Sequence, residues 1–424
     1  MTPEIKQRIE QIRQGNVPEG YQRIKDGIFP TDWRTQKMKQ WVALAECPVT
    51  LEDDKKYRLV TVRRGFGGVD LRGEYLGRNI LVKNYFRVRK GDFVISKRQI
   101  AHGACGVVPE SLDGAVVSNE YNVFVPNQGT NIEMFNLMMR LPHYTRLFYL
   151  MSDGVHIEKL LFKTHDWMRR QLAMPPIAEQ RKIAAILTTQ NKMIELKEKR
   201  LAEKQQQKKY LMQQLLTGKK RLPGFSGEWK VTRLRNIAMR QTKRNAIGNT
   251  NVLTISAQYG LINQAEFFNK AVASDDKSNY FLLEKGDFAY NKSYSNGYPF
   301  GAIKRLTRYK VGIVSPLYIC FRIKEGSVSG EYLEQYFEAG LMNHEIQAFA
   351  QEGARNHGLL NIAVDDFFNS KILIPLLEEQ AAIAKIVSTA DSEIDLIRQD
   401  IEQEKQKKKA LMQLLLTGIV RVNV

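Results

Sequence analysis

The chain has 424 residues, and about 150 residues per domain predicts two or three domains. Hydrophobic residues at 43% and charged residues at 26% supply enough apolar material for packed cores, which excludes a wholly disordered chain. Lys plus Arg is 64 against 45 Asp plus Glu, a formal net charge of +19 that attracts a polyanion, nucleic acid first, while no apolar run approaches the ~18 residues of a membrane-spanning helix.

Residues 1–20 read as a helical extension. Ile5, Ile9 and Ile12 in "IKQRIEQIRQ" fall at helical spacing, and the segment has no apolar signal core. Residues 21–174 form a first globular domain, entered through "GIFPTDW", whose Trp33 reads as a core or hinge anchor. Alternating apolar and polar residues predict strands in "YFRVRKGDFVISK" at 85–97 and "VSNEYNVF" at 117–124. The Lys-Gly-Asp at 90–92, inside the first of these stretches, is a tight turn feeding a strand, so its Gly91 and Asp92 are structural. Two polar loops stand out, "RRGFGGVDLRGEYLGR" at 63–78 and "SKRQIAHG" at 96–103. The "GFGG" within the first lacks the spacing of a P-loop or dinucleotide fold.

Residues 175–220 follow as one long helix. It starts after a proline and ends at Gly218, and no Pro or Gly interrupts the roughly 40 residues between, about 60 Å of helix. Leu187, Ile194, Leu201, Lys208 and Leu215 fall seven apart, with Gln190, Lys197, Lys204 and Leu211 at the second seam position. That is a coiled-coil seam, apolar toward its ends and polar in its middle. The polar middle weakens a lone seam, so a second helix and a covering partner are expected. Charged tracts such as "ELKEKRLAEKQQQKK" read as solvated helix faces, with Lys208-Lys209 and Lys407-Lys408-Lys409 open to phosphate or an acidic partner.

Residues 221–373 form a second globular domain that repeats marks of the first. "LPGFSGEW" ends at Trp229, "YFLLEKGDFAYNK" at 280–292 parallels 85–97, and "VSPLYICF" at 314–321 parallels 117–124. Its polar loops differ: "SAQYG" at 256–260, "YNKSYSNGY" at 290–298, "RLTRYK" at 305–310 and "GARNHG" at 353–358. Residues 374–424 then repeat the long helix. Aligning 174–221 on 374–421 gives 20 identities, including Pro175 with Pro375, Glu179-Gln180 with Glu379-Gln380, and "LMQQLLTG" with "LMQLLLTG". Val387, Ile394, Ile401, Lys408 and Leu415, with Ala390, Ile397, Glu404 and Leu411, make the second seam. Self-similarity of this kind marks a duplicated structural unit.

Catalytic signatures are missing. No Walker, H-E-x-x-H or G-x-S-x-G motif occurs, and the six histidines show no ligand spacing. Cys47, Cys105 and Cys320 lie far apart and read as free thiols of a reducing compartment. Arg, Lys, Asn, Gln and aromatic side chains in polar loops hold phosphates and read bases, and a loop histidine such as His102 can hydrogen-bond to DNA. On charge and loop placement the candidate DNA-facing residues are Arg63, Arg64, Lys97, Arg98, His102, Lys292, Asn296, Arg308, Arg355 and Asn356. Lys97 and Lys292 occupy equivalent places just after a strand, where an ordinary strand-end charge is the competing reading. The helix starts and ends, Pro175, Glu179, Gln180, Leu215, Pro375, Glu379, Gln380 and Leu415, are expected to organise scaffold and partner contacts.

Together "PPIAEQRKIAAIL" at 175–187, "LMQQLLTGKKRLPGFSGEW" at 211–229, "KGDFAYNKSYSNGYPFGAIKRL" at 285–306, "GIVSPLYICF" at 312–321 and the repeat at 374–418 resemble the DNA-specificity subunit of type I restriction–modification systems. The resemblance implies an α+β chain: two mixed α/β target recognition domains separated by two long antiparallel coiled-coil helices, in a pseudo-twofold repeat. Each recognition domain reads one half of a split, asymmetric site in double-stranded DNA, and the helices act as a ruler between them. Two methyltransferase subunits bind this scaffold and a translocating restriction subunit joins them. S-adenosylmethionine, ATP and Mg serve those partners, and the specificity chain itself holds no cofactor or metal and does no chemistry. A cytoplasmic, nucleoid-associated chain is expected. Two rivals remain: a self-contained methyltransferase or nuclease with an undetected site, and a coiled-coil scaffold that never reads sequence.

Overall fold

The structure is a computed structural model and describes residues 2–24, 27–82, 84–154, 160–256, 259–268, 277–295, 297–352 and 360–423. Its principal helices are α1 (Pro3–Arg13), α2 (Ile132–Met138), α3 (Pro142–Leu150), α4 (Ile177–Leu215), α5 (Gly330–Glu338), α6 (Asn343–Phe349) and α7 (Leu377–Leu416). Among the described residues no helix is long and apolar enough to cross a membrane.

The two long helices form where the sequence predicts. Neither has an internal proline or glycine. Both run into a glycine with positive φ, Gly218 at 70° and Gly418 at 71°, a conformation that ends a helix and that Cβ-bearing residues disfavour. All nine seam positions named for each helix are buried or half-buried, while residues facing away, such as 198–200, 205–207, 398–400 and 405–407, are exposed. The periodicity of 3.5 therefore reports the packed face directly.

The chain divides into two compact units, residues 1–196 with 401–424 and residues 197–400. Each unit joins one globular half to the start of the helix that follows it and to the end of the other helix.

In the first unit, the strand Phe93–Ser96 lies between Cys105–Val107 and Tyr121–Pro126, with Val42–Leu44 beyond, all antiparallel. A five-stranded sheet runs in the order Pro48–Val49, Tyr85–Arg87, Val116–Ser118, Lys56–Val62 and Val69–Leu76. The core is aromatic. Phe93 meets Phe135 edge-on at 5.3 Å between ring centroids, and Phe124 meets Trp167 at 5.5 Å. Ile183 and Leu187 from the start of α4 join this core, as do Leu415 and Leu416 from the end of α7. Trp33 is buried within it, stacked on Phe29. The extension packs back on the same unit: Arg8 lies 5.2 Å from the Tyr21 ring and donates to the Ile419 carbonyl.

The second unit rebuilds the same sheet from its own residues. Phe288–Asn291 lies between Ala302–Arg305 and Ile319–Ile323, with Ala238–Arg240 beyond. Phe288 opposes Phe321 on neighbouring strands, as Phe93 opposes Phe124 in the first unit. Met212, Leu215 and Leu216 from the end of α4 pack into this core beside Ile383 and Val387 from the start of α7. In both units the turn before the central strand is Lys-Gly-Asp with glycine at positive φ, Gly91 at 86° and Gly286 at 100°. Asp92 accepts from the Arg89 amide at 2.7 Å, and Asp287 from the Glu284 amide at 2.8 Å. These residues are structural, as their turn chemistry requires.

Each globular half also closes its own base. Arg34–Lys37 pairs antiparallel with Gln171–Met174, and Lys230–Arg233 pairs antiparallel with Lys371–Ile374. The second strand of each pair leads through a proline into a long helix, so each helix leaves from a hydrogen-bonded base.

Candidate nucleic-acid interface and helix junctions

In the first unit the two polar loops are bound to each other. Gly65 N donates to the His102 carbonyl at 2.7 Å and Phe66 N to the Gly103 carbonyl at 2.8 Å. Phe66 itself has a φ of 59°, the left-handed region, which a bulky residue enters only under restraint. One restraint comes from Arg140, just beyond α2. Its Nη2 donates to the Phe66 carbonyl at 3.2 Å, and its guanidinium lies 5.8 Å from the Phe66 ring centroid. Gly103 leaves room for that ring, since a Cβ there would come within 2.9 Å of it. Arg63 and Arg64 are exposed on this loop pair, Arg63 in an ion pair with Asp70. Arg98, on the other loop, is exposed with its Nε 2.6 Å from Glu120, while Lys97 and His102 are half-buried.

In the second unit a different device holds the equivalent loop. Ser295 and Tyr298 exchange backbone hydrogen bonds, closing a tight turn. Tyr298 Oη donates to Glu338 at 2.5 Å, and Lys304 Nζ lies 2.8 Å from the same oxygen while pairing with Glu338. Lys304 is 8% exposed. Burial first, and then the Glu338 carboxylate, push the Tyr298 phenol far above its ordinary value, so it stays a donor. Lys292 is half-buried after the central strand, its carbonyl accepting from Leu360 N, and Arg308 is exposed. Asn296, Arg355 and Asn356 lie outside the described residues.

The helix starts carry the closest internal symmetry. Glu179 is 1% exposed and takes two bonds from Arg421, Nε at 2.8 Å and Nη2 at 2.7 Å; the same guanidinium grips Asp32 at 2.9 and 2.8 Å. Glu379, also 1% exposed, takes both bonds from Arg221 at 2.7 Å, with Trp229 Nε1 at 3.2 Å. A two-pronged guanidinium satisfies both oxygens of a buried carboxylate in one plane, which lysine cannot do. The hydrogen bond from Arg421 draws Asp32 below the usual carboxylate range. Gln180 and Gln380 perform a second matching task. Each donates to the carbonyl of its own Pro175 or Pro375 at 2.8 Å, and each accepts at 2.8 Å from a helix N-cap residue, Asn131 N and Ser329 N respectively. Asn131 and Ser329 in turn cap α2 and α5 through their side chains. Pro175, Pro375, Leu215 and Leu415 are buried as well. All eight junction residues selected from the sequence thus face the chain's own interior.

Arg221 and Arg421 escaped that selection. The signal was present, because they are the last identity of the 48-residue alignment. Polar seam residues are also matched. Gln190 donates to Glu404, and in the second unit Lys197 pairs with Asp400 at 2.8 Å, Lys204 with Glu393 at 2.9 Å and Lys208 with Asp391 at 2.5 Å. Numbers rise along α4 as they fall along α7, so the paired segments run antiparallel. The seam's polar middle is therefore completed by the other helix, and Lys208 is turned to a carboxylate. Among the described residues no group of three or more His, Cys, Asp or Glu is gathered to hold a metal.

Comparison with known proteins gives a consistent family of matches. Residues 226–406 match the family described as the type I restriction modification DNA specificity domain. The chain is 24% identical over 296 residues to the type I restriction enzyme MjaVIII specificity subunit of Methanocaldococcus jannaschii, covering 63% of this chain and 65% of that protein. It is 22% identical over 439 residues to the putative MjaX specificity subunit of the same organism, covering 95% and 97%. Among solved structures, the type I restriction–modification S subunit from M. genitalium superposes with a TM-score of 0.55 at 10% identity, over 92% of this chain and 96% of that one. A chain from a structure of complex assembly and conformational transition in the type I R-M system superposes at 0.54 and 16% identity, over 92% and 99%. These last two establish likeness of fold: paired long helices with mixed α/β domains.

Proposed function

We propose, for a chain that carries a type I restriction–modification DNA specificity domain and is a relative of the specificity subunits of those systems, that it reads a two-part, asymmetric DNA site and scaffolds the subunits that modify and cut DNA. It is a non-catalytic subunit. The observation that carries the reading is the doubled junction. Two buried Glu–Arg clasps and two Gln caps repeat residue for residue, while the polar loops differ between the units. A repeated frame suits two copies of one partner, the methyltransferase subunit. Unlike loops suit two unlike half-sites. The net charge of +19 supplies the sequence-independent part of DNA affinity.

On this reading Arg63, Arg64, Arg98 and Arg308 meet DNA from exposed loop positions, with Lys97, His102 and Lys292 beside them. The paired helices hold the half-sites apart, and a restriction subunit joins the methyltransferases on the same scaffold. Methylome sequencing of cells with and without the chain tests the proposal. A two-part motif whose adenine methylation depends on the chain is the expected result. Methylation unchanged by its loss, or methyl transfer by the purified chain alone, would refute it.

A further inference from the structure

A concavity of about 470 Å³ opens on the first unit, and no residue of the polar loops at 63–78 and 96–103 lines it. Lys37, Arg146, Arg169 and Arg170 line it, with Leu147 and Leu150 of α3 as an apolar wall. No Asp or Glu is among its lining residues. Among the described residues none of these four cations has an ion-pair partner, and the buried Nε of Arg170 has no hydrogen bond. Gathering four like charges in one concavity costs Coulomb energy that an anion would relieve.

The internal repeat serves as a control for what the fold requires. In the second unit Asn369 and Ser370 stand where the first has Arg169 and Arg170, and α6 contains no Arg or Lys where α3 has Arg146. There Arg233 stands for Lys37, Lys371 takes the place of Gln171, and Glu345 accepts from the Lys371 amide at 2.8 Å. The same architecture folds without the three arginines, so packing does not call for them.

We propose that this concavity is a subsite for the sugar–phosphate backbone of duplex DNA, used by the first half of the chain only. Arg146 and Arg169, both exposed, meet phosphate oxygens, with Lys37 and Arg170 adding to the field. The sugar edge lies on Leu147 and Leu150, the latter 52% exposed. Duplex DNA is favoured over another anion by position, because α3 packs against residues Ile100–His102 of the candidate reading loop. A strand meeting that loop and this face would be held in register by contacts that carry no base preference. The inference rests on the DNA-reading proposal above.

The test uses the chain in complex with its methyltransferase subunits. Binding of a cognate duplex and of a scrambled duplex is measured for wild type and R146Q/R169Q across about 50 to 200 mM salt. Each lost phosphate contact reduces the salt slope by about 0.9, so two reduce the fall in affinity over that range about tenfold. The expected result is the same loss on both duplexes, with the slope restored by R146K/R169K. An unchanged slope overturns the proposal, and so does an unchanged slope with weaker recovery of the methyltransferase subunits, which would mark an acidic protein partner. If wild type prefers no two-part site, the functional reading fails. The slope change on either duplex still reports the phosphate subsite.

Discussion

The Glu179–Arg421 clasp offers a quantitative test of how the first unit is held together. Replacing Arg421 with Ala leaves Glu179, 1% exposed, with no ionic partner among the described residues. Breaking a buried pair on one side costs about 3–5 kcal/mol, because the remaining charge stays desolvated. The Arg421 side chain is 37% exposed, so water can reach part of the vacated space, and about 3 kcal/mol is the expected value. Against a domain stability of about 5–15 kcal/mol that is a large loss, about two powers of ten in the folded ratio. Glu179→Gln in the R421A background removes the orphaned charge and should recover a large part of the loss. Urea unfolding of wild type, both single variants and the double variant gives the coupling energy directly. The acid limb supplies a second readout. Arg421 holds Asp32 below the usual carboxylate range, so that contribution is present above the ordinary carboxylate value and lost as pH falls through the lowered one. R421A should flatten that limb. A cost under about 1 kcal/mol, or strict additivity of the two substitutions, would show that the clasp does not hold the unit.

Burial pushes the Cys105 and Cys320 thiols up to about 12, so near neutral pH they remain protonated and unreactive, while Cys47 is exposed. One thiol should be alkylated in the native chain at about pH 8 and all three in denaturant; three fast native thiols would contradict the packing. Tyr298→Phe removes the hydroxyl that joins the loop turn to Glu338 and Lys304. It should cost about 1 kcal/mol in stability and relax discrimination at one half-site while leaving the other intact, read by competition with duplexes altered in one half. Exchanging residues 21–174 for another recognition domain should change one half-site of the methylated motif; a change in both would break the assignment of one reader per half. Lengthening both long helices by one heptad should widen the spacer, and an unchanged spacer in the methylome would remove the ruler role.

Local pattern carried much of the architecture. The heptad spacing of Leu187, Ile194 and Val387 marked the packed faces because side-chain direction on a helix follows from spacing alone. The Pro and Gly boundaries are backbone chemistry of single residues. The Lys-Gly-Asp turns and the alternating strands around Phe93 and Phe288 are equally local. The candidate interface was less legible. Arg63 and Arg98 are candidates on charge and loop placement, and the structure adds what spacing does not show, their engagement by Asp70 and Glu120. Arg140, Tyr298, Lys304 and Glu338, which hold the loops in place, looked like ordinary residues of strands, turns and helix ends.

The amino-acid order by itself determined the duplicated frame and the net charge, which are read by comparing and counting along the chain, and the two long helices and their seams, which are set by neighbours within a few turns. Tertiary structure alone decided which groups meet. Arg421 closes on a carboxylate 242 positions away, Lys204 meets Glu393, and Gln180 caps a helix that precedes it. Such pairings depend on where distant segments are brought together by burial of a common core, and that placement has no signature in the spacing of residues along the chain.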